Sequence, residues 1–120
     1  MLVLNEVQIP TLNANEVLAL TKLKSSVSEC FSLDRIILFG SKARGDYDKD
    51  SDVDLLVIVG ENNNFENKGK LSDIVFNINL EYDTLFTCIL KNKQKWTNGV
   101  GEYTSFIEDV RNEGIEIELK

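Results

Sequence analysis

The strongest constraint on the fold is the stretch Val53 to Val59, rich in apolar and β-branched residues and stopped by Gly60. It predicts a central strand covered on both faces. A second apolar run, Ile36-Ile37-Leu38-Phe39, follows Asp34-Arg35 and is stopped by Gly40, which predicts another buried strand. Buried strands need helices to cover them, and the flanking sequence supplies helical periods. Asn13 with Glu16 three residues on forms a capping box, and Leu20, Leu23, Val27, Cys30 and Phe31 recur at helical spacing. Residues 14 to 31 are therefore expected as a helix. Leu71, Ile74, Val75, Ile78 and Tyr82 mark a second long amphipathic helix, after an expected loop over 60 to 69 with its Asn62-Asn63-Asn64 run.

Thr84 to Leu90 is a third strand candidate, and Lys91 to Gly101 reads as a polar connection in which Trp96 is a packing anchor. Phe106, Ile107 and Val110 mark a last helix with Gly114 as its C′ residue. In the tail, Ile115, Ile117 and Leu119 alternate with Glu116 and Glu118, the pattern of an edge strand with its glutamates exposed. Ser41 to Gly45 is a turn or short helix between the first two strands. No internal repeat or domain boundary interrupts the chain. The order predicts one α/β domain over residues 1–120, helices packed on a small sheet.

Charge and missing residue types narrow the chemistry. The 120 residues carry 20 acidic and 13 basic side chains, a net charge of −7, which disfavours generic nucleic-acid binding. An acidic chain can instead dock on a basic partner or hold cations. There is no histidine, which removes Ser-His-Asp and Cys-His nucleophile systems and every imidazole metal site. Cys30 and Cys88 lack CxxC spacing and are expected to be reduced, buried thiols. No apolar run approaches the ~20 residues of a bilayer span, and the opening Met1-Leu2-Val3-Leu4-Asn5-Glu6 lacks a basic n-region. The expected location is the cytoplasm. Any chemistry must run on carboxylates, hydroxyls, Lys, Arg and a hard metal ion.

Those groups concentrate in Leu38-Phe39-Gly40-Ser41-Lys42-Ala43-Arg44-Gly45 and Asp52-Val53-Asp54-Leu55-Leu56. Alternation along a strand puts Asp52 and Asp54 on one face, ~6.6 Å apart along the chain. Two such carboxylates repel, and a bound cation removes that cost. Mg²⁺ prefers one or two carboxylates plus phosphate oxygens and water. Gly40 allows a sharp turn and close approach of a ligand. The Ser41 hydroxyl and the next free N–H groups would cradle phosphate, beside the positive charges of Lys42 and Arg44. Asp at every second position from Asp46 to Asp54 also resembles a calcium loop. An EF-hand needs Gly sixth and Glu twelfth, where this chain has Ser51 and Val57, or Val53 and Val59 in the other register. A phosphate cradle ahead of an acid pair suits a nucleoside triphosphate with Mg²⁺.

Gly40-Ser41, ten residues, then Asp52-Val53-Asp54 resembles the signature of the DNA polymerase beta-like nucleotidyltransferase superfamily. Phe39-Gly40-Ser41-Lys42-Ala43-Arg44-Gly45 and Ser51-Asp52-Val53-Asp54-Leu55 are similar to its minimal nucleotidyltransferase (MNT) branch, as is the closing Phe106 to Ile115. The resemblance covers most of the chain and implies a single-domain nucleotidyltransferase-like fold with a small mixed sheet. It implies that Asp52 and Asp54 hold Mg²⁺ and that Gly40 and Ser41, helped by Arg44 and with Lys42 as a further candidate, bind the triphosphate. A hydroxyl acceptor would attack the α-phosphate and pyrophosphate would leave. The family's third carboxylate is expected near Thr84 to Leu90, whose interior has no acid. Asp83 at its start is the candidate, as catalytic residue and metal ligand, with Glu81 nearby.

Stand-alone MNT proteins resembling this one serve as antitoxins to HEPN-domain RNase toxins, some by moving AMP from ATP to a tyrosine of the toxin. The resemblance thus implies a HEPN-type partner, ATP as co-substrate, and no direct contact with nucleic acid or membrane. Two other functions compete: a non-catalytic antitoxin that masks its partner, and a small-molecule nucleotidyltransferase of the aminoglycoside-modifying kind, which normally needs a larger second domain.

Overall fold

A computed structural model describes residues 1–48, 50–98 and 104–119. The elements run β1 (Leu2–Leu4), a short 3-10 turn (Glu6–Gln8), α1 (Ala14–Cys30), β2 (Leu33–Phe39), α2 (Ser41–Arg44), β3 (Val53–Val59), α3 (Phe65–Tyr82), β4 (Phe86–Asn92), α4 (Lys93–Asn98), α5 (Thr104–Glu113) and β5 (Ile115–Ile117). They build one mixed sheet in the order β1-β5-β2-β3-β4. β2 is antiparallel to β3 and to β5, whereas β3 runs parallel to β4 and β1 parallel to β5. The α/β class and the small mixed sheet expected from the sequence are what the chain adopts.

Alternation along β2 and β3 makes two apolar layers. Ile36, Leu38, Leu55 and Val57 face one way, against Leu20, Leu23 and Val27 of α1 and Leu71, Val75 and Ile78 of α3. Ile37, Leu56 and Ile58 face the other, under Trp96, Ile107 and Val110. All five of Leu55 to Val59 are fully buried, so β3 is the covered strand that its composition predicts. Burial of one such side chain contributes roughly 1.5–3 kcal/mol, which makes β3 the best-anchored segment.

The ends of elements depart from expectation for local reasons. α1 starts as predicted: Asn13 Oδ1 accepts from the Glu16 N–H at 2.8 Å, and Glu16 Oε1 accepts from the Asn13 N–H at 2.9 Å. Cys30, however, is exposed. β2 begins at Leu33, three residues before the apolar run, because the exposed Arg35 finds a carboxylate across the sheet in Glu116 at 3.5 Å. Residues 65 to 69, expected in a loop, are helical, because Asn64 caps α3 by accepting from the Asn67 N–H at 2.9 Å. The third strand starts two residues late. Asp83 turns the chain in the left-handed region (φ 55°), and the Thr84 hydroxyl donates to Asn79 Oδ1 at 2.9 Å.

Within the expected polar connection, 93 to 98 form α4, capped by Asn92 Oδ1, which accepts from the Gln94 N–H at 3.0 Å; residues 99 to 101 lie outside the described set. Trp96 is an anchor, 3% exposed beneath the Arg111 guanidinium. The tail is not an edge strand. β5 sits between β2 and β1, and the three residues of β1 take the edge. Gly114 closes α5 by donating its N–H to the Val110 carbonyl at 2.7 Å, and any Cβ there would collide with that carbonyl and with Ile37.

Candidate nucleotide and metal site

The site is built at the mouth of the β2–β3 pair. β2 ends at Phe39, opposite Asp54 in the register. Gly40 then takes φ 75° and ψ −158°, a conformation costly to any residue with a Cβ. A Cβ at Gly40 would also fall on the Asp54 carboxylate. One glycine thus meets two demands: the backbone must bend sharply, and it must bend against a carboxyl group. The turn that follows is closed by the Ala43 and Arg44 N–H groups donating to the Gly40 carbonyl, both at 3.1 Å. The amides of Ser41 and Lys42 precede those bonds and lie outside the turn's own ladder. Gly45, at φ 90°, stops the turn after four residues.

Asp54 is half-buried and Asp52 exposed. Burial pushes the Asp54 carboxyl above its ordinary range, the charge of Asp52 pushes it further, and Arg44 pulls it back. The two acids are thus close enough to repel, as their spacing predicts, and the pair fits a hard divalent cation, which would remove that repulsion. Among the described residues no third Cys, Asp or Glu joins the pair. Across the parallel register the residue facing Asp54 is Thr87 of β4, whose hydroxyl donates to Asp52 Oδ2 at 3.2 Å. Thr87 was not singled out by sequence. Its only signal is the β3–β4 register, which a single chain does not display.

The two basic residues of α2 have opposite surroundings. Arg44 is exposed, donating to Asp46 Oδ2 at 3.1 Å and Glu113 Oε2 at 3.3 Å. Those hydrogen bonds hold its pKa above the usual arginine range, so it is a permanent cation on the mouth of the site. Exposed pairs of this kind exchange readily for a phosphate. Lys42 is not brought to the phosphate cradle. It is 4% exposed, and its ammonium donates to Glu16 Oε1 at 2.9 Å, Glu16 Oε2 at 3.2 Å and the Thr11 carbonyl at 3.2 Å. Tyr47 lies over it, 4.7 Å from ring centroid to Nζ. Two residues apart on a helical turn, Lys42 and Arg44 project about 200° from each other around its axis, and α1 lies on the Lys42 side. Lys42 therefore ties α2 to the start of α1.

Asp83, the third-carboxylate candidate, is exposed at the end of α3, and Glu81 is exposed two residues back. Asp48, Asp50 and Ser51 bond to one another: the Asp50 N–H donates to Asp48 Oδ1 and the Asp48 N–H to Ser51 Oγ, both at 2.9 Å. Cys88, beside Leu55 in the register, is pushed up to about 12 by burial and then by the Asp54 charge, so it stays a neutral thiol. No helix among the described residues is long and apolar enough to cross a membrane.

Known proteins share this pattern. Residues 20–117 match the family model described as "Nucleotidyltransferase domain". A protein of Methanocaldococcus jannaschii named "Putative protein adenylyltransferase MJ0141" is 45% identical over 85 residues, covering 71% of this chain and 79% of the relative. A solved structure of a toxin–antitoxin MntA-HpeT mutant shares the fold at a TM-score of 0.55 and 18% identity, over 89% of this chain and 72% of that one. The bend at Gly40-Ser41, the acid pair that it presses against and the family match over most of the length agree: this chain belongs to the nucleotidyltransferase domain family.

Proposed function

We propose that the chain transfers AMP from ATP to a hydroxyl of a partner protein, a tyrosine of a HEPN-type toxin, and in doing so acts as an antitoxin. The observation that carries this reading is the Gly40 backbone lying against the Asp54 carboxyl, with Asp52 alongside. That closeness supports a phosphate cradle and a cation-holding pair within one ligand's reach. The name of the M. jannaschii relative supports protein as the acceptor, and the toxin–antitoxin neighbour supports a toxin as the partner.

Asp52 and Asp54 would hold Mg²⁺, with phosphate oxygens and water completing its shell. Bound there, the ion would neutralise charge on the triphosphate and polarise its α-phosphorus. The Ser41 hydroxyl and the amides that open α2 bind phosphate oxygens, and Arg44 grips them from the rim. The acceptor hydroxyl oxygen forms a bond to the α-phosphorus as the bond to the bridging oxygen breaks. AMP stays on the acceptor, pyrophosphate leaves, and the hydroxyl proton is released to water. Thr87 orients Asp52 through its hydroxyl. Asp83 is given no direct part.

The test is incubation of the co-expressed toxin with ATP labelled at the α-phosphate and Mg²⁺. Label on the toxin, absent with Asp54→Asn, is the expected result. The presence of two acids rather than three among the described residues favours one other reading, a masking antitoxin. Toxin neutralised equally well by a chain carrying Asp52→Ala and Asp54→Ala, with no label transferred, would establish that reading.

A further inference from the structure

β4 is the last strand of the sheet, and no strand among the described residues pairs with its outer edge. Leu85 accepts from the Val53 N–H at 2.9 Å, so in this parallel ladder the odd residues of β4 bond to β3. Phe86, Cys88 and Leu90 therefore turn their N–H and C=O groups outward. At Phe86 the outward pair is already taken by a side chain. Asn79 Oδ1 accepts from its N–H at 2.9 Å, and Asn79 Nδ2 donates to its carbonyl at 3.1 Å. That carboxamide imitates the peptide group of a neighbouring strand. Beyond it, the outward groups of Cys88 and Leu90 have no partner among the described residues.

Those open groups border a groove of about 550 Å³ between α3, β4 and α5, whose apolar lining includes Leu71, Ile89 and Phe106. Ile89 is 40% exposed there, on a strand edge with neither proline nor bulge to guard it. Among the described residues the lining holds two lysines, Lys68 and Lys91, and no carboxylate, in a chain whose net charge is −7. The groove also leads to the acid pair. Ile89 lies ~6.6 Å along the strand from Thr87 on the same face. Phe106 stacks edge-on with Phe39 at 5.3 Å, and Phe39 faces Asp54.

We infer that an extended segment of the partner protein adds to the β4 edge as a further strand, an acidic side chain meeting Lys68 and its acceptor hydroxyl delivered beside Thr87. The inference deepens the transferase reading and rests on it for the hydroxyl. Main-chain bonds to Cys88 and Leu90 give affinity, while the apolar lining and Lys68 give selectivity. A second copy of this chain is the poorer occupant, since two such edges would oppose lysine to lysine.

The test begins with a nine-residue phage-displayed library panned on the whole chain. Fluorescein-labelled synthetic peptides of the selected sequences are then titrated by polarisation. The expected winners alternate apolar with acidic residues, bind about tenfold more weakly to Ile89→Glu and roughly threefold more weakly to Lys68→Glu, and slow hydrogen exchange at the amides of Cys88 and Leu90. Both substitutions sit outside the acid pair and leave ATP binding unchanged. A library that yields no binder, or binders indifferent to both substitutions or without protection of those amides, overturns the inference. So does a peptide-free dimer abolished by Ile89→Glu, which would put a second copy on the edge. AMP transfer to the toxin that proceeds unaltered in both variants would overturn the dock and leave the transferase standing. Peptides that bind as expected while no protein ever receives AMP would sink the transferase reading and leave the dock.

Discussion

The two sides of β3 are built on different terms. Toward β2, each residue of the mouth is held by at least one specific demand: Gly40 by its backbone angles and its closeness to Asp54, Lys42 by a buried partner, Asp54 by burial and a neighbouring charge. Toward β4, the mouth offers Thr87 and, beyond it, an open edge. Under the proposed function, the contrast assigns the nucleotide and metal chemistry to one tight connection and leaves the β4 side for a guest. Such a division suits an enzyme whose acceptor arrives on another molecule.

Substitutions should grade accordingly. Asp54→Asn removes half of the cation-holding pair and is expected to lower AMP transfer by about a thousandfold, read as label incorporated per minute. The same change should raise the melting temperature. Asp54 has a raised carboxyl pKa, so the fold favours its protonated form and loses stability as pH rises through that pKa. Loss of stability together with loss of transfer would mean that Asp54 is a structural residue.

Gly40→Ala tests the same mouth through its backbone. Strain at positive φ and the clash with Asp54 should cost about 1–3 kcal/mol in denaturant unfolding and roughly a hundredfold in transfer. Next comes the pair of cations on α2. Lys42→Met leaves Glu16 buried and unpaired, and should cost about 3–5 kcal/mol of stability, recovered in the double variant Lys42→Met with Glu16→Leu. Arg44→Ala should leave unfolding unchanged and raise the KM for ATP about tenfold. If the two variants exchanged these phenotypes, the assignment of one lysine to scaffold and one arginine to ligand would be wrong. The smallest effects belong to the β4 side: about threefold on kcat for Thr87→Val, and none for Asp83→Asn. A large loss with Asp83→Asn would restore it as third carboxylate and make the two mouths alike.

Much of the β2–β3 side was legible in the sequence because its demands are local. Gly40-Ser41 ends one apolar run, Asp52 and Asp54 open the next, and alternation alone puts the acids on one face. What depends on distant partners was not legible. Lys42 and Arg44 look equivalent until Glu16, 26 residues away, claims one of them. Ile115 to Ile117 has the alternation of an edge strand, and only pairing with the three residues of β1 moves it inside. Thr87 carries no motif, and its place beside the acids comes from a register between strands that are joined by the whole of α3.

Titration calorimetry of ATP into the chain with Mg²⁺, repeated from pH 5 to pH 8 and with Asp54→Asn, bears on the whole scheme. Bound Mg²⁺ competes with the Asp54 proton, so affinity should climb with pH through that carboxyl's raised pKa and level off above it, and the variant should show little heat at any pH. Equal heat in EDTA, or an Asp54→Asn titration matching the parent, would mean that the acid pair does not hold the metal–nucleotide complex.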